Sequence, residues 1–225
     1  MARTIGSIQE ISLSWLTETL SEVKEFRKNR ILELEVKQIA DGIGQLGEFA
    51  LLEATREKGS KTKLFAKVQT ANKDFDKLAQ DYNIYLREVR FYERLADKIS
   101  VNTPKPYYVE HNEETGQVII LLEYLEGWYN PDQIVGANKS EIDLAIDGLI
   151  PIATQFWGTA NQIDWIPDAQ ETYMMNVLDD IVEFRPAFLE RFGYLMSDSR
   201  KLILSRIIDY YPNFPRLFTQ GTTTL

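Results

Sequence analysis

Three glycines, one lysine and one glutamate carry the chemistry that this sequence could do. Gly42-Ile43-Gly44-Gln45-Leu46-Gly47 reads GxGxxG. Lacking side chains, such positions reach positive φ and let backbone N–H groups approach phosphate oxygens. A glycine-rich hairpin turn uses the same residues with no ligand. Lys67 stands in Leu64-Phe65-Ala66-Lys67-Val68, among apolar neighbours. Lysine is rarely buried without a partner, so it either snorkels to water from an edge strand or meets a carboxylate. Glu88 shares a helical stripe with Ile84, Phe91 and Leu95. A lone carboxylate on that stripe would be costly to bury, and a cation across the interface would offset the cost. Lys67 is the natural cation; a rim position beside Arg87, Arg90 or solvent is the other reading. A phosphate cradle, a cation for phosphate oxygens and a carboxylate that fixes the cation are parts of a nucleotide site.

These residues need elements to hold them. Residues 31–39 alternate with period two, with Leu32, Leu34 and Val36 on one face and Glu33, Glu35 and Lys37 on the other. They predict a strand leading into the glycine turn. Residues 49–55 form a second strand, Glu57-Lys58-Gly59-Ser60 a polar turn, and residues 63–69 a third strand that puts Phe65, Lys67 and Gln69 on one face. A strand after the glycines, rather than a helix, is the layout of a loop that covers phosphates in kinases. The period turns helical over residues 74–99, which predicts one long helix carrying Glu88. A short strand at 107–110, a turn at Asn112-Glu113-Glu114-Thr115-Gly116 and an apolar run at 118–125 follow; the run reads as a strand buried on both faces.

Upstream, residues 12–26 predict a helix capped by Ser12, with Trp15, Leu16, Leu20 and Val23 near one face. Downstream, a linker starts at Gly127. Helices are predicted at 140–157, capped by Ser140 and carrying Pro151; at 169–184, bent or restarted at Pro186; and at 199–210, ended by Pro212 and Pro215. Residues 219–225 have strand propensity and no identified partner. The expected organisation is an α+β fold with a lobe at 1–127, an antiparallel sheet plus one long helix, and a mainly helical, partial lobe at 128–225.

Composition narrows the class. The 225 residues carry a net charge of −9, which argues against general nucleic-acid binding, because that needs a basic face. It leaves room for a small basic pocket. With no cysteine, disulfides and thiolate metal sites are impossible. No apolar run approaches the ~18 residues of a membrane span, and residues 1–12 lack the apolar core of a secretory signal. The expectation is a cytoplasmic protein with no membrane and no nucleic-acid partner.

The stretch from Ile31 to Trp165, and more loosely to Leu225, resembles the small-molecule kinase branch of the protein-kinase-like fold: aminoglycoside phosphotransferases, choline and ethanolamine kinases and the ecdysteroid-kinase-like group. The resemblance is carried by Gly42, Gly44, Gly47, Lys67, the run Tyr85-x-x-Glu88-x-x-Phe91-Tyr92-x-x-Leu95 and Leu121-Leu122-Glu123-Tyr124-Leu125-Glu126-Gly127. The Tyr-x-x-Glu-x-x-Phe-Tyr helix is its most specific part. Ala153-Thr154-Gln155-Phe156-Trp157 is similar to the helix after the family's linker, with Gln155 where many members have His. The resemblance implies ATP as the nucleotide. Lys67 would contact its α- and β-phosphates, Glu88 would hold the lysine, and Phe65 would cover the base. Glu123, Tyr124 and Leu125 would form a hinge that hydrogen-bonds adenine. It also implies Mg2+ and a small hydroxylated acceptor.

The family's catalytic loop opens on a His-Gly-Asp-like start and is followed by an Asn and a second Asp that hold the metal. The single histidine, His111, lies in an early hairpin and reads as a surface turn residue, and no His-Gly-Asp occurs. Asp164, Asp168, Asp179 and Asp180 cluster in sequence, but Asp179-Asp180 on a helix reads as a solvated pair. The expectation is therefore an incomplete kinase that binds ATP weakly, lacks its Mg2+ ligands and exposes apolar surface to a C-terminal half or to itself. A self-sufficient nucleotide-binding pseudokinase is the alternative, and an interaction protein with only the lobe's shape is a third.

Overall fold

The meander read from the sequence forms the first three strands of the chain. In the computed structural model, β1 (Ile31–Ile39), β2 (Glu48–Arg56) and β3 (Lys61–Val68) are joined by β5 (Val118–Glu123) and β4 (Pro106–His111). The order is β1-β2-β3-β5-β4, with every pair antiparallel. The structure describes residues 4–39, 46–129, 131–132, 134–159, 162–166, 172–210 and 213, of which 172–178 are described as backbone only. Gly42, Gly44, Asp168 and the expected terminal strand lie outside the described residues.

Alternation explains the sheet. Ala50, Leu52 and Ala54 of β2 and Leu64, Ala66 and Val68 of β3 are all buried, and the register sets Leu52 opposite Leu64 and Ala50 opposite Ala66. β5 is apolar without alternation, and Val118 through Leu122 are buried. It has helices on one face and the N-terminal segment on the other, as a central strand requires.

The N-terminal segment covers the back of the sheet. Ile5, Ile8, Ile11, Trp15, Leu16, Leu20 and Phe26 form one core with the inward residues of β2, β3 and β5. Each fully buried Leu or Ile here contributes about 1.5–3 kcal/mol. The small side chains Ala50, Ala54 and Ala66 leave room for the segment to approach. Ser12 caps α1 (Leu13–Thr19), its hydroxyl accepting from Trp15 N at 3.2 Å. The single helix expected over 12–26 is instead two: Val23 is extended, and α2 (Lys24–Arg27) starts after it. The break turns Phe26 edge-on to Tyr107, at 5.6 Å, and beneath the Arg56 guanidinium, at 4.6 Å.

The opposite face of the sheet carries a second core. Ala79, Tyr85, Val89, Val118, Ile120 and Leu122 are buried there. The single helix expected over 74–99 is broken into α3 (Lys73–Asp81), capped by Asn72, and α4 (Ile84–Arg94). Between them Asn83 has φ 51, a left-handed conformation that asparagine tolerates better than most residues. The buried line of α4 runs through Tyr85 and Val89, one position round from the stripe expected through Ile84 and Glu88. Glu88 consequently sits on the shoulder of the interface.

A further departure is in β1. Leu32, expected to share a face with Leu34 and Val36, is 53% exposed while they are half-buried, because a bulge at Ile31/Glu33 offsets the alternation and buries Ile31 instead.

By its contacts the chain falls into two units, Met1–Gly148 and Leu149–Leu225. Helix α5 (Lys139–Phe156) runs through Pro151. Its cap is Asn138, not Ser140: Asn138 Oδ1 accepts from Glu141 N at 3.1 Å, and Glu141 Oε2 accepts from Asn138 N at 2.7 Å, a reciprocal capping box. In the second unit, α6 (Thr172–Phe192) passes Pro186 without the expected restart, and α7 (Asp198–Tyr210) follows. The Arg185 guanidinium donates to Ser205 Oγ, tying α6 to α7. The apolar series Ile203, Ile207 and Tyr210 is about half exposed, as are Ile142, Ile146 and Ile150 of α5. No described helix is long and apolar enough to cross a membrane.

Candidate functional site

Lys67 leaves β3 on the face that α4 covers, because Ala66 and Val68 on either side point into the other core. Its Nζ meets Glu88 Oε2 at 2.5 Å. The two side chains are 16% and 29% exposed, so the pair is largely shielded but reaches solvent on one side. Tyr85, one turn before Glu88, fixes the helix to the sheet: its hydroxyl accepts from Thr70 N at 3.2 Å. Burial pushes the Tyr85 hydroxyl up to about 12. Tyr92, one turn after Glu88, is also pushed up to about 12, by burial and then by the Glu88 carboxylate. Both phenols stay neutral donors near neutral pH.

Gly47 closes the site from the glycine turn. A Cβ built there would lie 3.1 Å from Lys67 Cε, 3.1 Å from the Val68 carbonyl oxygen and 3.4 Å from Phe49 Cζ. The missing side chain is the space through which Lys67 passes. Phe49, which the sequence reading left out, stands directly opposite Lys67 in the β2–β3 register. Its ring centre is 5.8 Å from Lys67 Nζ and 5.7 Å from the ring of Phe65. Counting the register outward from the turn at Glu57–Ser60 is the signal that would have found it.

The structure thus brings together Gly47, Phe65, Lys67 and Glu88, and adds Phe49. Leu122 pairs with Phe65 and Ile120 with Lys67, so the chain of β5 leaves the sheet just past Phe65. Glu123 ends that strand. It is exposed, with its N–H donating to the Lys105 carbonyl at 2.8 Å and its carboxylate accepting from Lys105 N at 3.3 Å. Tyr124 and Leu125 follow, half-buried; the Tyr124 ring lies 6.0 Å from Lys63 Nζ, and the Leu125 carbonyl accepts from Trp128 N at 3.3 Å.

His111 departs from the surface reading. It ends β4 half-buried, with Nδ1 shielded from water and without a hydrogen-bond partner among the described residues. Burial holds its pKa below the ordinary value; Arg90 adds to this and Glu113 opposes it. Among the described residues, no group of three or more His, Asp or Glu side chains could hold a metal ion.

The site offers one ammonium group fixed by a carboxylate, a glycine backbone beside it and two aromatic rings. Such a set can bind an anion and stack a planar group. Compared with known proteins, the chain matches no protein-family model and no curated protein.

Proposed function

We propose that the first unit is a nucleotide-binding lobe of the small-molecule kinase type, which holds the phosphates of an adenine nucleotide between the glycine turn and Lys67. The observation that carries this is the Lys67–Glu88 pair, shielded on one side and lodged against a glycine with no room for a side chain. An ammonium group has three donors. Glu88 takes one and fixes the position of the others, which face a phosphate oxygen. Phe49 and Phe65 supply an aromatic surface for the base, and Glu123, Tyr124 and Leu125 the backbone beside it. Gly42 and Gly44 would complete the cradle.

Among the described residues, no cluster of three or more carboxylate or histidine side chains is present to hold Mg2+. None of the 225 residues starts a His-Gly-Asp loop. Phosphoryl transfer depends on a positioned metal and base, and no assigned residue supplies either. The activity proposed for these residues is therefore nucleotide binding, either as the nucleotide-binding part of a kinase for hydroxylated small molecules or as a binding module in its own right.

Calorimetric titration with ATP, with and without magnesium, tests this. Weak binding is expected. It should fall about tenfold or more in Lys67→Ala, the scale of a lost charge-assisted hydrogen bond, and change little with magnesium. No binding, or binding indifferent to Lys67→Ala, would leave only a lobe with the shape of a nucleotide site.

A further inference from the structure

The charge of the chain is unevenly placed. Residues 22–30 and 56–61 hold seven of its 25 cationic residues but only three of its 34 anionic ones. The two stretches form one surface. Asn29 donates to Ser60 Oγ at 3.1 Å and accepts from Lys58 N at 3.0 Å, while Glu57 N donates to the Arg30 carbonyl at 2.9 Å. Arg56 Nε donates to the Asn29 carbonyl at 3.1 Å. An acidic protein that gathers its cations on one hydrogen-bonded patch creates a local positive potential against its own net charge.

The patch contains a notch of about 150 Å³. Arg27 and Arg30 line it together with the hydroxyl residues Thr17 and Ser21, and Leu20 and Phe26 form an apolar floor. Arg27 holds Glu22 at 2.7 Å, but that carboxylate is 86% exposed, so the contact is weak and displaceable. The Arg30 guanidinium has no partner among the described residues; only its backbone is engaged. The notch is lined in part by the N-terminal segment, which packs on the sheet face opposite Lys67.

We propose that this notch binds the phosphate group of a small organic phosphate ester. Guanidinium groups match tetrahedral oxyanions with paired N–H donors. Arg27 and Arg30 both line a space that two hydroxyl-bearing residues also line, and the apolar floor receives the carbon attached to the ester oxygen. Lys24, Lys28, Lys58 and Lys61 belong to the same two stretches and add positive charge, which raises the local concentration of anions. The same chemistry is presented by a soluble phosphate ester and by a phosphomonoester lipid headgroup.

The full chain, labelled so that the Arg27 and Arg30 Nε–H signals are resolved by NMR, is titrated at low ionic strength. The probes are inorganic phosphate, phenyl phosphate, and phosphatidylcholine vesicles with and without phosphatidic acid. Both arginine signals should shift, with phenyl phosphate binding several-fold tighter than inorganic phosphate because its ring covers the floor. Arg30→Gln should weaken binding about tenfold or more, and Arg30→Lys should restore only part of it. Both replacements are exposed, and a thermal melt confirms that they fold. Loss of vesicle binding in Arg30→Gln, with no response to soluble esters, assigns the headgroup as the source. The proposal is overturned if the arginine signals do not move. It is equally overturned if affinity is indifferent to Arg30→Gln, or follows only the number of lysines in the two stretches and so reports diffuse attraction.

Discussion

The Lys67–Glu88 pair makes a quantitative prediction. Replacing Glu88 by Gln keeps the shape of the side chain and removes its charge, leaving an ammonium group only 16% exposed without its counter-ion. Fully exposed ion pairs contribute about 0–1 kcal/mol, whereas breaking a fully buried one costs about 3–5 kcal/mol. With partners 16% and 29% exposed, the cost should fall between, at about 1–2 kcal/mol. The Phe49 ring, 5.8 Å from Nζ, retains a little of the cation's stabilisation, of the order of 0.5 kcal/mol. The assay is a double-mutant cycle in urea with Glu88→Gln, Lys67→Met and the double variant. The coupling energy should be about 1–2 kcal/mol, and each single variant should lower Tm by roughly 3–6 °C. Lys67→Met in the Glu88→Gln background should cost much less than in the parent, because it removes a cation that has already lost its partner. A coupling energy below about 0.3 kcal/mol, the usual error of additivity, would refute the claim that the pair is held by partial burial.

Gly47→Ala should push Lys67 aside or strain the Val68 carbonyl, lowering stability by about 1 kcal/mol and weakening any ATP binding; an unchanged melt and affinity would show that the turn gives way freely. His111 predicts a pH dependence. Its pKa in the folded chain lies below its ordinary value of 6.5, so between the two values the unfolded chain binds the proton more readily. Stability should therefore be full above about pH 6.5 and fall as pH drops through that window. Urea midpoints at pH 7.5 and 5.5 should differ less in His111→Gln than in the parent, and since no other histidine is present an equal difference would remove the effect from His111. The exposed apolar residues of α5 and α7 predict association: light scattering should detect species above the monomer mass as concentration rises, and Ile203→Lys with Ile207→Lys should reduce them. A parent chain that stays monomeric at high concentration would count against it.

Much of the first unit was legible because its signals are local. Period-two alternation fixed the buried faces of β2 and β3, and the unbroken apolar run at 118–122 announced a central strand. Lys67 and Glu88 were readable for the same reason: each was a charge where the local pattern demanded an apolar residue. The departures arose where local signals compete with tertiary packing. Nothing in the apolar spacing of residues 74–99 marks Asn83 as the point where the helix turns left-handed, and α4 then docks through Tyr85 and Val89 rather than through the stripe with Glu88. The bulge that exposes Leu32 is likewise a property of the paired strands, not of β1 alone. Asn138 was missed as a cap because Ser140 lay nearer the apolar run. The complete box, Asn followed three residues later by Glu141, was in the sequence to be found.

The packing of the N-terminal segment has a consequence for how the chain is made. Leu16 and Leu20 are wholly buried, yet their cover includes Ile119 and Leu121, which are translated roughly 100 residues later. At ribosomal rates of about 5–20 residues per second, the segment waits some 5–20 s before β5 emerges to complete its core. Over that interval its isoleucines and leucines face solvent, the ribosome surface or a chaperone. Closing the core also requires a long loop, which makes the step slow in a refolding experiment. The strand buried on both faces is thus the late arrival on which both cores depend. A nascent chain arrested before Val118 should be protease-sensitive throughout, and one arrested well beyond Glu123 should acquire protection in its first 26 residues.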